Sequence, residues 1–110
     1  MIKKYSSNYV FSPDKGIMSF GIVVVEDATV TDIIDINGEI REIAGLEFYS
    51  GYLIIGDIEK DCFNNLRVNN ASFEQLFTEV KTSYRSLLHI DKLDFQARRL
   101  QSNTVLKKIL

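Results

Sequence analysis

Two different patterns of hydrophobic and polar positions divide the chain. Up to about residue 60, short runs of Ile, Val, Tyr and Phe alternate with turn residues, and this part holds all six glycines and the only proline. Such a pattern is typical of strands joined by tight turns. From about Ser72 the glycines stop and apolar residues recur with the period of a helix. The sequence therefore predicts an α+β fold. An antiparallel β-sheet or small β-sandwich covers about residues 3–58, and one long helix over about residues 72–90 packs on it.

Turn residues separate the predicted strands. Pro13 and Gly16 favour a turn at residues 12–16, because proline fixes φ and glycine permits a positive φ. Asn37-Gly38 is the strongest hairpin signal in the chain, since both residues tolerate the backbone of a type I′ turn. The apolar run at residues 19–26 indicates a strand buried on both faces. The predicted strands cover residues 4–11, 19–26, 29–36, 39–43, 46–49 and 52–55.

The predicted helix begins after a polar stretch. Residues 61–71, rich in asparagine, are predicted to be a linker. Ser72 and Gln75 have the spacing of a capping box, in which each side chain bonds to the backbone of the other residue. One apolar stripe of a helix then follows, formed by Phe73, Leu76, Phe77, Val80, Tyr84, Leu87 and Leu88.

The last eleven residues fit two kinds of element. Val105, Lys107 and Ile109 alternate as in a strand, whereas the spacing of Leu106 and Leu110 fits a helix equally well. The C-terminal element is therefore left as a short strand or a short helix. The whole chain, residues 1–110, is predicted to be a single domain, with a β-rich part at 1–60 and a helical part with a terminal element at 72–110.

Composition and charge exclude several classes of function. The net charge is −2 and the basic residues are scattered, so no basic stripe is available to bind the phosphates of a nucleic acid. No apolar run reaches the ~20 residues that span a bilayer, and no apolar stretch of a secretory signal follows Lys3-Lys4. The single cysteine, Cys62, precludes an internal disulfide. We therefore expect a cytoplasmic protein that binds neither nucleic acid nor membrane.

Residues for catalysis or metal binding are few. The chain has one histidine and one cysteine, too few for a zinc site. Asp57, Glu59 and Asp61 alternate after a strand and offer oxygen ligands for a hard cation, but such acids are more often a solvated edge. Cys62 and His89 form a nucleophile and base only if the fold brings them together. We therefore assign no catalytic, metal-binding or cofactor-binding residue and predict that the chain is not an enzyme and has no cofactor.

Aromatic residues offer a different kind of site. The tyrosines at positions 5, 9, 49 and 52 lack the basic surround of a platform that stacks nucleobases. Any of these rings that faces outward is better suited to a contact with another protein.

Two segments of the first part, SSNYVFSPDKGIMSFGIVVVEDATVTDII and REIAGLEFYSGYLIIG, resemble the N-terminus of bacterial amidohydrolases of the cytosine-deaminase and chlorohydrolase type. In that superfamily a small β-sandwich, the composite domain, precedes a metal-binding (β/α)8 barrel. A His-x-His pair lies a few residues after a glycine on the first barrel strand. With Gly56 aligned on that glycine, Asp61 and Phe63 occupy the two histidine positions. The roughly 50 residues after Gly56 are also far fewer than the ~200 of a barrel.

The second part of the chain extends the resemblance. FEQLFTEVKTSYRSLLHIDKL is similar to the helix that leaves the barrel in those enzymes, and SNTVLKKIL is similar to the strand that returns to the small domain. The resemblance implies a barrel-less, non-catalytic relative that acts as a structural or protein-interaction module. Without the barrel, apolar surface needs a partner. We therefore expect a homodimer, or a complex with another protein chain, formed by helix packing or by pairing of strand edges.

Two other functions remain open from the sequence. The first is a regulatory or small-molecule-binding module with a pocket between helix and sheet, where Tyr49, Tyr84 and His89 provide polar contacts. The second is a small enzyme that uses Cys62 or the acidic cluster formed by Asp57, Glu59 and Asp61.

Overall fold

A computed structural model of the protein describes residues 1–35 and 44–110. In this part of the chain seven strands form one sheet, and two short helices pack on it. The strands are β1 (Ile2–Ser12), β2 (Gly16–Ser19), β3 (Ile22–Glu26), β4 (Thr29–Ile34), β5 (Leu46–Ile55), β6 (Leu87–Asp91) and β7 (Val105–Lys108). The helices are α1 (Lys60–Val68) and α2 (Phe73–Thr78). The α+β class is thus confirmed, whereas residue 36, the Asn37-Gly38 turn and the predicted strand at 39–43 lie outside the described residues.

The sheet is mixed, which corrects the expectation of an antiparallel sheet. The strand order is β4-β3-β1-β5-β6-β7, and β2 also pairs with β1. The other strand pairs are antiparallel, but β1 and β5 run parallel. A hairpin turn in the sequence predicts pairing only between two consecutive strands. The pairing of β1 with β5 bypasses β2, β3 and β4, so no local signal predicts it.

The run predicted as one strand at residues 19–26 is divided. Phe20 adopts a positive φ of 56°, and its backbone N–H donates to the carbonyl of Asn8 at 3.1 Å. The two pieces, β2 and β3, both pair antiparallel with β1. They are therefore two parts of one returning strand, separated by a local irregularity at Phe20.

Residues 46–49 and 52–55, predicted as separate strands, belong to the single strand β5. Gly51 lies inside it with a φ of +94°, and its N–H donates to the side-chain oxygen of Asn8 at 2.9 Å. A Cβ on Gly51 would lie 2.5 Å from the carbonyl oxygen of Ile90. Glycine thus lets the strand continue and lets β6 approach it closely.

The predicted linker at residues 61–71 is largely helical, because it contains most of α1. Asparagine is a weak helix former, so the local sequence favoured a loop in this segment. Phe63 is buried in the core and Leu66, three residues later, packs against it. Short helices gain most of their stability from such packing, so tertiary contacts override the local preference.

The predicted start of the second helix is confirmed, and its predicted length is wrong. The N–H of Gln75 donates to the Ser72 hydroxyl at 3.2 Å, and the Ser72 N–H donates to the Gln75 side chain at 3.1 Å. These bonds form the expected capping box. However, α2 ends at Thr78, and the second half of the segment predicted as one helix over 72–90 contains the strand β6.

Long-range pairing explains why the chain leaves the helix. Backbone hydrogen bonds of 2.9 and 2.8 Å join Asp57 and Lys81 in an antiparallel bridge. Thr82 and Ser83, which follow, are weak helix formers. Strand β6 then inserts between β5 and β7, where Leu87, Leu88 and Ile90 are all buried. Leucine spacing alone does not distinguish a helix from a strand buried on both faces.

Apolar clusters fill both faces of the sheet. The helix-side cluster joins the helices to the sheet, and its members include Phe11, Tyr52, Phe63, Phe73, Leu76 and Leu100. The opposite-face cluster consists of sheet residues, including Tyr5, Val23, Val30, Ile33 and Leu53. The N–H of Val30 in β4 donates to the carbonyl of Tyr84, which precedes β6, at 2.6 Å, so segments that are distant in the strand order meet here. At the C-terminus, where the sequence fitted a strand and a helix equally well, the chain forms the strand β7.

Candidate functional site

The three acidic residues that follow β5 occupy different local structures. Asp57 lies in the bridge to Lys81, and its carboxylate accepts from the N–H of Ile58 at 3.0 Å. Glu59 is the N-cap residue of α1 and Asp61 lies in the first turn, where the helix dipole stabilises a negative charge. Among residues 1–35 and 44–110, no three His, Cys, Asp or Glu side chains are grouped to hold a metal ion.

Cys62 and His89 lie on opposite faces of the sheet. Cys62, on α1, packs against the helix-side cluster, and its thiol donates to the Glu79 carboxylate at 3.6 Å. The His89 ring lies 4.9 Å from that of Tyr49, which packs against the opposite-face cluster. The fold therefore does not form a cysteine–histidine pair.

The surroundings of Cys62 disfavour the thiolate form of its side chain. Desolvation raises the pKa of Cys62 above its ordinary value, and the nearby Glu79 carboxylate raises it further. We expect alkylation of Cys62 by iodoacetamide to have its half-maximal rate at a higher pH than alkylation of N-acetylcysteine. Glu79→Gln should lower that midpoint, because it removes a negative charge, whereas Glu47→Gln should leave it unchanged. A midpoint at or below that of N-acetylcysteine would contradict this description of the thiol.

The three residues proposed as polar contacts of a helix–sheet pocket lie elsewhere. Tyr49 and His89 are adjacent, but they are on the face opposite the helices, and Nε2 of His89 donates to the Ser50 carbonyl at 2.6 Å. The Tyr84 hydroxyl donates to the Asp14 carboxylate, and this bond raises the pKa of Tyr84. These contacts satisfy the polar groups within the protein and do not form a shared pocket between helix and sheet.

Aromatic residues form one partly exposed apolar surface in the described part of the chain. We define it by four residues: Tyr9, Phe20, Phe48 and Phe95. Phe48 is 53% exposed and Phe95 is 42% exposed. The rings of Phe20 and Phe48 stack with centroids 6.2 Å apart, and the rings of Tyr9 and Phe95 lie 5.7 Å apart. A shallow groove of about 360 Å³ runs between Tyr9, Phe20 and Phe95.

The aromatic surface continues directly from the helix-side cluster. Tyr52 in the core stacks on Tyr9 at 5.2 Å and on Phe95 at 5.9 Å. Tyr49 packs against the opposite-face cluster, so its neighbour Phe48 points to the helix side of the sheet, the side on which Tyr52 lies. The short helix α2 contacts Phe95 through Phe73, but Phe48 at the other end of β5 stays half exposed. The aromatic surface thus lies at the edge of the helix-side cluster, where Phe95 is only partly covered by α2 and Phe48 is half exposed.

The sequence identified this surface only in part. Of the four tyrosines expected there, Tyr5 and Tyr52 are buried at 4% and 3% exposure, and Tyr49 packs against the opposite-face cluster. The exposed phenylalanines were not predicted. One available signal was Phe95, a lone aromatic residue within the charged segment DKLDFQARR.

A second concave feature, the basic groove, lies between α1 and β7. It measures about 580 Å³, and three basic residues, Lys60, Arg67 and Lys108, line it together with Asp57, Asn64 and several apolar side chains. The guanidinium of Arg67 makes one long hydrogen bond, from Nη1 to the carbonyl of Thr104 at 3.5 Å. Its Nε is buried without a hydrogen-bond partner.

The comparisons with known proteins are negative. No protein-family model matches the chain, and neither a curated protein nor a solved structure matches it. Within the described residues, no helix is both long enough and apolar enough to cross a lipid bilayer. The site and its geometry are therefore the basis for any function assigned to this chain.

Proposed function

We propose that the chain is a non-catalytic protein-interaction module that forms a homodimer through the aromatic surface. The observation that supports this proposal is the group of two neighbouring ring pairs, in which Phe48 and Phe95 are each more than two-fifths exposed. Aromatic side chains contribute large apolar areas and are enriched at the centres of protein interfaces. A group of them left uncovered next to the core is a surface that a partner stabilises.

A second copy of the chain is the partner that fits this surface best. The groove between the rings is lined by Asn8 and Ser19 besides the aromatics and contains no charged side chain. A two-fold axis brings the same patch of each copy together, so an uncharged aromatic surface is complementary to itself. Pairing of two β7 edges is less favourable, because Lys107 and Lys108 of each copy would approach each other.

The relationship to amidohydrolases stays a separate proposal. It rests on the sequence of residues 6–34 and 41–56, and it would make the chain a barrel-less relative of those enzymes. The segment FEQLFTEVKTSYRSLLHIDKL, expected to be one helix, contains the short helix α2 and the strand β6. Residues 73–93 therefore do not form the long helix that the resemblance implies. A cytoplasmic location is likewise proposed, on the basis of the single cysteine.

Sedimentation equilibrium over a range of protein concentrations tests the proposed homodimer. We expect a reversible monomer–dimer equilibrium for the wild-type chain. Phe48→Ser should weaken it by at least about tenfold, as expected for loss of a central aromatic contact. Val68 is a matched control, because it is 71% exposed on α1, outside the aromatic surface. Val68→Ser should leave the dissociation constant unchanged. A wild-type chain that stays monomeric up to about 1 mM, beyond weak specific association, would overturn the proposal.

A further inference from the structure

We propose that the basic groove between α1 and β7 binds an amphipathic organic anion, with a carboxylate or phosphate head group and an apolar body. Arg67 and Lys108 would hold the head group, and the apolar side chains of the groove would contact the body. This inference concerns a different surface from the proposed dimer interface and does not depend on it.

The helix α1 and the strand β7 form the two walls of the groove. Lys60, Asn64 and Arg67 are spaced by four and three residues, so they lie on one side of α1. On β7, Leu106 and Lys108 alternate with Lys107 and therefore point to the same face of the strand. Apolar side chains complete the lining between the walls, namely Ile58, Phe63, Leu88 and Val105.

The charges in the groove favour an anion. Three cationic side chains and one carboxylate, that of Asp57, line it, within a chain whose net charge is −2. In the described part of the chain, no carboxylate forms an ion pair with Lys60, Arg67 or Lys108. The side chains that line the groove thus carry an excess of positive charge, three cations against one carboxylate.

Arg67 gives the anion a defined partner. Its Nε is buried without an acceptor, and a buried donor without a partner is unfavourable. A carboxylate or phosphate accepts two parallel hydrogen bonds from one guanidinium. Arg67 lines the groove, so an anion bound there would lie beside a guanidinium whose hydrogen bonding the fold leaves incomplete.

The dimensions and lining of the groove indicate that the ligand is more than a free inorganic ion. Its volume of about 580 Å³ lies in the range of roughly 300–1,000 Å³ that is usual for small-molecule sites. Most of the remaining lining is aliphatic or aromatic, which suits an alkyl or aryl body. A neutral apolar ligand would fill the space but leave the cationic side chains of the groove without an anionic partner.

Isothermal titration calorimetry with three probes of equal chain length tests the ligand class. We expect octanoate and octyl phosphate to bind, and their relative affinities identify the preferred head group. Octanamide, which is neutral, should bind at least about tenfold more weakly, a difference of about 1.4 kcal/mol. Equal binding of octanamide, or no binding of either anion at millimolar concentration, would overturn the proposal.

Variants locate the binding in the groove. Arg67→Gln and Lys108→Gln should each weaken octanoate binding, Arg67→Gln by at least about tenfold because it removes the charge and the paired donors. Lys107→Gln is the matched control for Lys108 on the other face of β7, and Arg85→Gln is the control for an exposed arginine. Far-UV circular dichroism establishes that each variant is folded, and Lys108→Gln alone tests the site if Arg67→Gln unfolds. Equal losses in the control variants would contradict the assigned location. Phe48→Ser should retain octanoate binding, which separates this result from the test of the dimer.

Discussion

Replacing Gly56 by alanine is expected to destabilise the protein by about 3 kcal/mol or more, in the range of combined overpacking and backbone strain. Gly56 follows β5 and has a φ of +149°, which side chains rarely adopt. A Cβ there would lie 2.6 Å from a methyl carbon of Val80 and 2.7 Å from the carbonyl oxygen of Lys81. The Lys81 backbone is held by its bridge to Asp57, so the segment after α2 has little freedom to move away.

Chemical denaturation of Gly56→Ala and Gly16→Ala compares a crowded glycine with an open one. Gly16 also has a positive φ, +75°, but no atom lies within 4 Å of a Cβ built on it. Gly16→Ala should therefore cost only about 1 kcal/mol of unfolding free energy, the penalty of a left-handed conformation. Equal losses at the two positions would contradict the close approach of the Val80–Lys81 backbone to β5.

Truncation of Phe73 is expected to lower the free energy of unfolding by about 3–5 kcal/mol, the usual cost of removing a buried aromatic ring. Phe73 is 1% exposed. Its ring lies 5.5 Å from Tyr52 and 5.7 Å from Phe95, both in edge-to-face orientation, and the Arg98 guanidinium lies over it at 5.6 Å. Loss of this ring would therefore open the core where α2 meets the sheet.

Phe48→Ala is the matched control for Phe73→Ala, because it removes the same side chain from a half-exposed position. Its cost, measured by urea denaturation at a concentration where the chain is monomeric, should stay below about 1 kcal/mol. Similar losses for the two variants would mean that Phe48 belongs to the core of the monomer and is not part of an open surface.

The parts of the fold that depend on neighbouring residues were predictable. The Ser72 capping box and the strand β4 follow from short-range chemistry, and both are present at or near the predicted positions. Elements that depend on distant contacts were not predictable from the sequence. The helix α1 forms because Phe63 and Leu66 pack on the sheet. The strand β6 forms because β5 and β7 provide its partners. In both places packing overrides local propensity.

The candidate site was harder to predict than the fold, because it depends on which rings the helices leave uncovered. Tyr52 and Phe48 are both aromatic residues on the same face of β5, yet one is 3% exposed and the other 53%. Their difference arises from the position of Phe73 and Phe95 above the sheet. The basic groove likewise combines Arg67 and Lys108, residues far apart in the sequence that only the packing of α1 beside β7 brings together.

Hydroxyl-radical footprinting across a series of protein concentrations tests the proposed aromatic interface most directly. As the concentration rises, oxidation of Phe48 and Phe95 should fall together, because each copy covers these rings in the other. Oxidation of Val68, which is exposed on α1, should stay constant and serves as the internal reference. Oxidation of Phe48 and Phe95 that remains constant while the protein dimerises would show that the copies meet elsewhere, and would contradict the role assigned to the aromatic surface.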